Sequence, residues 1–272
     1  MSPGSKYRLC TILILTGFVL PATGSARSLQ EVLNEGLIQI GVVLINPWTI
    51  RLGPGELSGF EIDVSKKLAE DMDVAVEFRV YSAERIIPAL EAGEIDLIAA
   101  GLRISPKTAL HVNFSQPYST MGIMMATHRK TTLLVDELDD FDDPDYRMAA
   151  IIGSEAAGLI TRIFPSAVLL EFQTPELASE ALVDGLVDAY LDEEPIPTYL
   201  ALDNPMIVDV PLTAPLLQTR AGFAINKGDP DFLAFLNAWI TARQSDTWLP
   251  TIHSYWFDSL RWRDELSRSG SN

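Results

Sequence analysis

The sequence predicts an α/β fold built on largely parallel β-sheet, and three observations carry that expectation. From Leu37 onward, short β-branched or aliphatic runs alternate with amphipathic segments, the pattern of strand-helix units around a parallel sheet. A length of 272 residues with 47% hydrophobic side chains allows one large domain or two small ones and suffices to fill real cores. Residues 126–215 hold 18 of the 37 acidic side chains but only four of the 20 Lys and Arg, which sets off a central block with its own strand-helix alternation.

Strands are expected at 38–44, 74–80, 97–100, 148–152, 168–172, 189–191 and 221–225, and helices at 63–70, 83–92, 106–110, 155–164, 175–184 and 230–243. Three helix starts have a mechanism: Ser105-Pro106, Thr174-Pro175 and Asp229-Pro230 each set a capping oxygen before a proline at the first helical position. The polar stretch 131–145 reads as a connecting loop, and Gly53, Gly55 and Gly59 as a hairpin-like turn.

Lys6 and Arg8, the 12-residue apolar stretch from Leu9 to Leu20 and the small residues Gly24, Ser25 and Ala26 follow the order of a secretory signal peptide. A membrane span needs roughly 18 or more apolar residues. Cleavage is expected after Ala26, giving a soluble periplasmic chain, and the only cysteine, Cys10, leaves with the leader. The leader holds two basic side chains and no acid, so its removal takes the net charge from −17 to −19.

That acidity is the opposite of what phosphate backbones attract, so no nucleic-acid partner is expected. Without cysteine, a disulfide framework, a Cys-ligated zinc and a thiol nucleophile are excluded. His111, His128 and His253 are too dispersed to suggest a metal, and neither metal nor other cofactor is expected. The glycines of 53–59 fit neither a Walker loop nor a dinucleotide fingerprint. Gly153-Ser154-Glu155 lacks the elbow of a serine nucleophile and reads as a capped helix N-terminus suited to an anion or dipole.

Four phrases carry a family resemblance. They are Leu37 to Trp48 resuming at Gly55-Glu56-Leu57-Ser58-Gly59-Phe60-Glu61-Ile62-Asp63-Val64; Ile87-Pro88-Ala89-Leu90 with Gly93-Glu94-Ile95-Asp96-Leu97-Ile98; Gly101-Leu102-Arg103-Ile104-Ser105-Pro106 through Val112-Asn113-Phe114-Ser115-Gln116-Pro117-Tyr118; and Ala181-Leu182 with Gly185-Leu186-Val187-Asp188-Ala189-Tyr190. In order and spacing the chain resembles the exported solute-binding proteins that serve polar amino-acid ABC importers. The resemblance implies a two-lobed periplasmic-binding-protein type II fold, each lobe a mostly parallel sheet flanked by helices, with ligand in the cleft between them. It implies a first lobe of residues 27–125 and 216–262, a second lobe of 126–215 and a polar tail at 263–272. It further implies a small-molecule ligand, importer membrane subunits as partners and a monomeric receptor.

The chain departs from the family pattern where ligand is held. In amino-acid receptors of this class the phrase after Gly101 ends in an arginine that clamps the ligand's α-carboxylate, and here that position is Thr108. Arg103, five residues earlier, is either a relocated clamp or a solvated loop residue; its loop leaves the C-terminal edge of a strand, where such folds bind ligands. In the second lobe the family's contributing positions hold Ser154, Glu155 and Glu193, and Glu193 is the acid expected to meet a ligand ammonium. Trp48 suits an aromatic wall or a core position equally. Ala83 and Val43 replace an aromatic shelf and an acid found in relatives, which argues against ordinary lysine or arginine as ligand. The expected ligand-binding set is Trp48, Gly101, Arg103, Thr108, Ser154, Glu155 and Glu193, with no catalytic residue. The alternatives are an exported enzyme resembling cyclohexadienyl dehydratases, with Glu155 or Glu193 as general acid, or a receptor serving a sensor or a periplasmic dehydrogenase.

Overall fold

The computed structural model describes residues 27–53 and 55–269; the expected signal peptide lies outside the described residues. The first lobe opens with α1 (Leu29–Glu35), β1 (Leu37–Val43), β2 (Ile50–Gly53), β3 (Glu56–Ser58), α2 (Phe60–Asp71), β4 (Ala75–Tyr81), α3 (Ala83–Glu91), β5 (Leu97–Ile98) and α4 (Pro106–Ala109). The long β6 (Asn113–His128) leads to β7 (Arg147–Ile151), α5 (Glu155–Ile163), β8 (Val168–Phe172), α6 (Pro175–Val183), β9 (Ala189–Glu193), α7 (Ile196–Asp203) and β10 (Val208–Asp209). The chain returns through β11 (Leu217–Ile225) to α8 (Pro230–Ser245), α9 (Trp248–Phe257) and α10 (Arg261–Ser269).

The strands of both lobes form one hydrogen-bonded series, β4-β1-β5-β11-β6-β9-β7-β8. β4, β1 and β5 are parallel, as are β9, β7 and β8. The two parallel sets are joined by antiparallel β11 and β6. Each set has its own apolar filling. Ile38, Ile40, Leu68 and Phe232 are buried on one side, and Met125, Met148, Ile160 and Leu191 on the other. The two-lobed α/β expectation is therefore the architecture of the chain.

The proline-marked helices begin as expected: Ser105, Thr174 and Asp229 each accept a hydrogen bond from a backbone N–H of the first turn. The glycine-rich turn is the β2-β3 hairpin. Within the 131–145 loop lies one short 3-10 turn, Leu138–Phe141, anchored by buried Phe141. The residues read as a polar tail begin inside α10, which docks through buried Trp262 and reaches the second lobe where Arg263 pairs with Asp203 at 2.9 Å.

Sequence periodicity misses β6, the strand on which the topology turns. Gln116-Pro117, Ser119-Thr120 and Gly122 interrupt its apolar pattern, because the strand changes partners along its length. Its first part pairs with β11, from Asn113 opposite Ile225 to Ile123 opposite Leu217, and its second part pairs with β9, from Ile123 opposite Glu193 to Thr127 opposite Ala189.

At the changeover Gly122 is required by close approach. A Cβ there would lie 2.3 Å from Pro215 Cβ and 2.5 Å from the Leu217 carbonyl oxygen. Gly122→Ala is expected to destabilise the fold by about 2 kcal/mol, in the range of overpacking. Gly158→Ala, within α5 with nothing within 4 Å of the added Cβ, should be neutral or stabilising by about 0.5–1 kcal/mol. Urea midpoints of the two variants measure the contrast.

Candidate functional site

Beyond β5 the chain turns at Gly101, whose φ of +60° favours glycine and whose missing side chain lets the backbone lie against the Trp48 indole, 3.2 Å from where a Cβ would sit. Two residues later Arg103 makes an isolated antiparallel bridge with Ala221 of β11, and the Ile104 N–H donates to the Arg220 carbonyl at 2.9 Å. The root of the arginine is thus fixed to the strand that joins the lobes.

Its head crosses to the second lobe. Nη1 donates to Glu155 Oε2 at 2.9 Å, and Nη2 donates to Glu193 Oε1. Glu155 is the first residue of α5 and Glu193 the last of β9, so one guanidinium gathers two carboxylates from two elements. Partial burial works against the charge of Arg103, but Glu193 and then Glu155 outweigh it and hold the group above its ordinary pKa. The three side chains keep 39, 49 and 50% of their surface exposed, so each pair contributes on the order of 1 kcal/mol or less.

Beside this bridge is a cavity of about 250 Å³ lined by Asn46, Trp48, Gly101, Arg103, Met121 and Glu193, among others. Trp48 is only 4% exposed, packed on Phe60 (ring centroids 5.5 Å apart) and Phe257 (4.7 Å), and it still lines the cavity, so wall and core position are the same place. Five of the seven expected residues, Trp48, Gly101, Arg103, Glu155 and Glu193, gather here. Ser154 adjoins them, but its hydroxyl caps α5 by accepting from the Ala157 N–H at 3.1 Å. Thr108 sits on α4 with its hydroxyl 2.9 Å from Ser105 Oγ and does not line the cavity. Among the described residues no cluster of three or more His, Cys, Asp or Glu side chains is arranged to hold a metal ion.

Two acids absent from the expected set have the most perturbed environments. Glu61 is fully buried, and burial pushes its pKa up to about 7 against hydrogen bonds from Tyr118 and Gly101. The sequence signal was available: Glu61 shares a helical face with buried Val64, Ser65 and Leu68, an acid on an apolar stripe. Glu194 lines the cavity beside Glu193, and burial, then the Asp258 charge, raise it to about 7.

The geometry is that of a two-lobed receptor: two α/β lobes sharing a strand pair, with an arginine of one lobe bonded to two glutamates of the other beside a small cavity. The family model for the bacterial extracellular solute-binding proteins, family 3, matches residues 38–259, and the chain belongs to that family. It is 28% identical over 207 residues to the ABC transporter glutamine-binding protein GlnH of Bacillus subtilis (strain 168), covering 74% of this chain and 73% of the relative. Among solved structures it resembles an ancestral cationic amino-acid solute-binding protein, a precursor of cyclohexadienyl dehydratase, at 28% identity and a TM-score of 0.72 over 84% of this chain and 98% of the other. The L-cystine solute receptor of Neisseria gonorrhoeae, in its unliganded open conformation, shares the fold at 22% identity and a TM-score of 0.75 over 85% of this chain and 97% of the other. Among the described residues no helix is long and apolar enough to cross a membrane.

The raised carboxyls make folding stability depend on pH. A carboxyl whose folded pKa exceeds its unfolded value near 4.5 stabilises the fold fully below pH 4.5 and loses that contribution as pH rises toward about 7. For buried Glu61 the loss amounts to about 3 kcal/mol. Urea unfolding at pH 5 and pH 8 should show the chain more stable at pH 5 on this account. Glu61→Gln should flatten that slope; an unchanged slope would mean that Glu61 does not titrate there.

Proposed function

We propose that the chain is a periplasmic receptor that captures a small zwitterionic or cationic solute, an amino acid or derivative, between its lobes and delivers it to the membrane subunits of an ABC importer. The carrying observation is the Arg103 bridge to Glu155 and Glu193. A zwitterion fits by insertion: its carboxylate takes the guanidinium, and its ammonium takes the Glu193 carboxylate that the guanidinium leaves. Because the direct pairs are half exposed and weak, the exchange costs little, and a ligand that excludes water makes stronger contacts than those it replaces. One arginine against two glutamates leaves one negative charge over, which favours a ligand carrying an extra cation.

The relatives support this reading, since a glutamine-binding protein of an ABC transporter and a cationic amino-acid binding protein flank the chain in similarity. For about ten heavy atoms, micromolar affinity needs roughly 0.8 kcal/mol per atom, a demand that near-complete enclosure meets. In this reading residues 27–125 and 216–262 move as one lobe and 126–215 as the other, hinged near residues 125 and 215. The protein acts as a monomer and needs no cofactor. Arg103 takes over the role of the carboxylate clamp missing at Thr108.

A second reading has a specific observation behind it: a structural relative is a precursor of cyclohexadienyl dehydratase, and acids line the cleft. Glu155 and Glu193, which could serve as general acid, both bond to Arg103, whereas a general acid needs a free face toward substrate; Glu194, which lines the cavity and is raised to about 7, is the acid left for that role. Turnover of prephenate by the purified chain would favour the enzyme.

The ligand is identified by mass spectrometry of small molecules carried by the purified native protein. Calorimetric titration of that ligand then tests the roles. Arg103→Ala and Glu193→Gln are each expected to weaken binding by on the order of 2 to 5 kcal/mol, because an opposite charge on the ligand stays buried and unpaired. Binding within a few-fold of wild type in Glu193→Gln would remove the ammonium assignment. The same result in Arg103→Ala would point to a ligand with no carboxylate.

A further inference from the structure

Glu61 joins three segments that build the cavity wall. Its backbone N–H donates to the Trp48 carbonyl at 2.9 Å, just after the Phe60 N–H donates to the Pro47 carbonyl at 3.1 Å. Its side-chain Oε1 accepts from the Gly101 N–H at 2.5 Å and from the Tyr118 hydroxyl at 2.6 Å. Its Oε2 is buried with no partner. The start of α2 is pressed onto the Trp48 turn, with Gly59 at a φ of +125° and no room for a Cβ, which would lie 2.4 Å from the Trp48 carbonyl oxygen. Gly101 is therefore held between the Glu61 carboxyl on one side and the Trp48 indole on the other, two residues before Arg103.

A carboxyl placed in a core without a cation is destabilising, and an apolar residue on the same face of α2 would avoid that cost. What the carboxyl provides in return is a grip on one amide of the loop that carries Arg103. We propose that Glu61 is a positioning residue for ligand binding: its carboxylate holds the Gly101 amide and so fixes where Arg103 leaves the sheet. The proposal rests on the receptor reading of the cleft and adds to it a residue that lies outside the cavity lining.

A hydrogen bond to a carboxylate is about twice as strong as one to a neutral acid, so the grip is firm when Glu61 is ionised and loosens when it is protonated. With the group pushed up to about 7, the change falls near neutrality. Other titratable groups stand on the elements packed around α2. β4 carries Glu77 and Arg79, which pair with each other at 3.0 Å. β3 carries exposed Glu56, and α9 carries His253, whose pKa burial pushes down and whose ring stacks on Phe257. On α2 itself Asp63 accepts from Trp256 Nε1 at 2.8 Å. The groups that bond the Glu61 side chain are Gly101 and Tyr118, and burial holds the Tyr118 hydroxyl protonated far above neutrality. Glu194, also raised to about 7, lines the same cavity as Gly101, so a neutral-range titration of the Gly101 amide is assigned to Glu61 by its loss in Glu61→Gln.

The test uses the full mature chain, labelled with ¹⁵N and freed of ligand. The Gly101 amide proton is followed from pH 5 to pH 9, and the affinities for L-lysine and L-glutamine are measured at pH 6 and pH 8. In wild type the amide should titrate once with a midpoint near 7, and the amino acid that binds should do so several-fold more tightly at pH 8. In Glu61→Gln both pH dependences should vanish, whereas Glu61→Asp, which keeps the carboxyl, should retain them with weaker overall affinity. A Gly101 amide that does not titrate in wild type overturns the proposal, and that reading stands even if the glutamine variant fails to fold. An amide that titrates while affinity stays level with pH also overturns the role in binding. If neither amino acid binds although the amide titrates, the receptor reading has failed for these ligands and the role in binding falls with it, while the Glu61–Gly101 contact is verified.

Discussion

The antiparallel pairing of β6 with β11 is the constraint on which the rest of the molecule depends. It is the only join between the two parallel strand sets in the hydrogen-bonded series of the described residues, and it fixes where the charges of the cleft stand. Arg103 is bridged to Ala221 on β11, and Ala221 lies opposite Ser119 on β6; four residues along the same strand Ile123 lies opposite Glu193 on β9. The cation and the anion that meet between the lobes are thus placed by one register. A shift of that register by one residue would turn the facing side chains to the wrong face.

The electrostatics of the site follow from the surrounding charge. At a net charge of −17 the chain repels anions at long range, so recognition of a carboxylate would have to be local and rest on a fixed arginine. In the proposed reading Arg103 would meet that need: its backbone is tied to β11, its head is partly shielded, and two glutamates hold it charged. The same acidity suits a cationic ligand, which the field draws toward the cleft before any contact forms.

What the sequence made legible were elements whose signals are local. Ser105-Pro106, Thr174-Pro175 and Asp229-Pro230 mark helix starts because cap and proline act within one turn, and the glycines around Gly55 mark a hairpin for the same reason. β6 was not legible, since its residues answer to two different partners and carry no single alternation. In the site, Arg103 and Glu193 stood out through departures from a family pattern, but their direct contact joins positions 90 residues apart and no spacing rule reports it. Glu61 is legible in part, as an acid on an apolar helical stripe, but that this face presses onto Trp48 and Gly101 is a tertiary contact that no local pattern reports.

The central claim is that β6 and β11 carry a hinge and that ligand replaces the Arg103 bridge as the tie between lobes. Small-angle scattering on the mature chain, first stripped of its co-purified ligand and then saturated with it, tests this most directly. The account predicts a smaller radius of gyration with ligand and a ligand-free profile that expands further in Arg103→Ala, where the weak direct tie is absent. An identical radius with and without saturating ligand would contradict it.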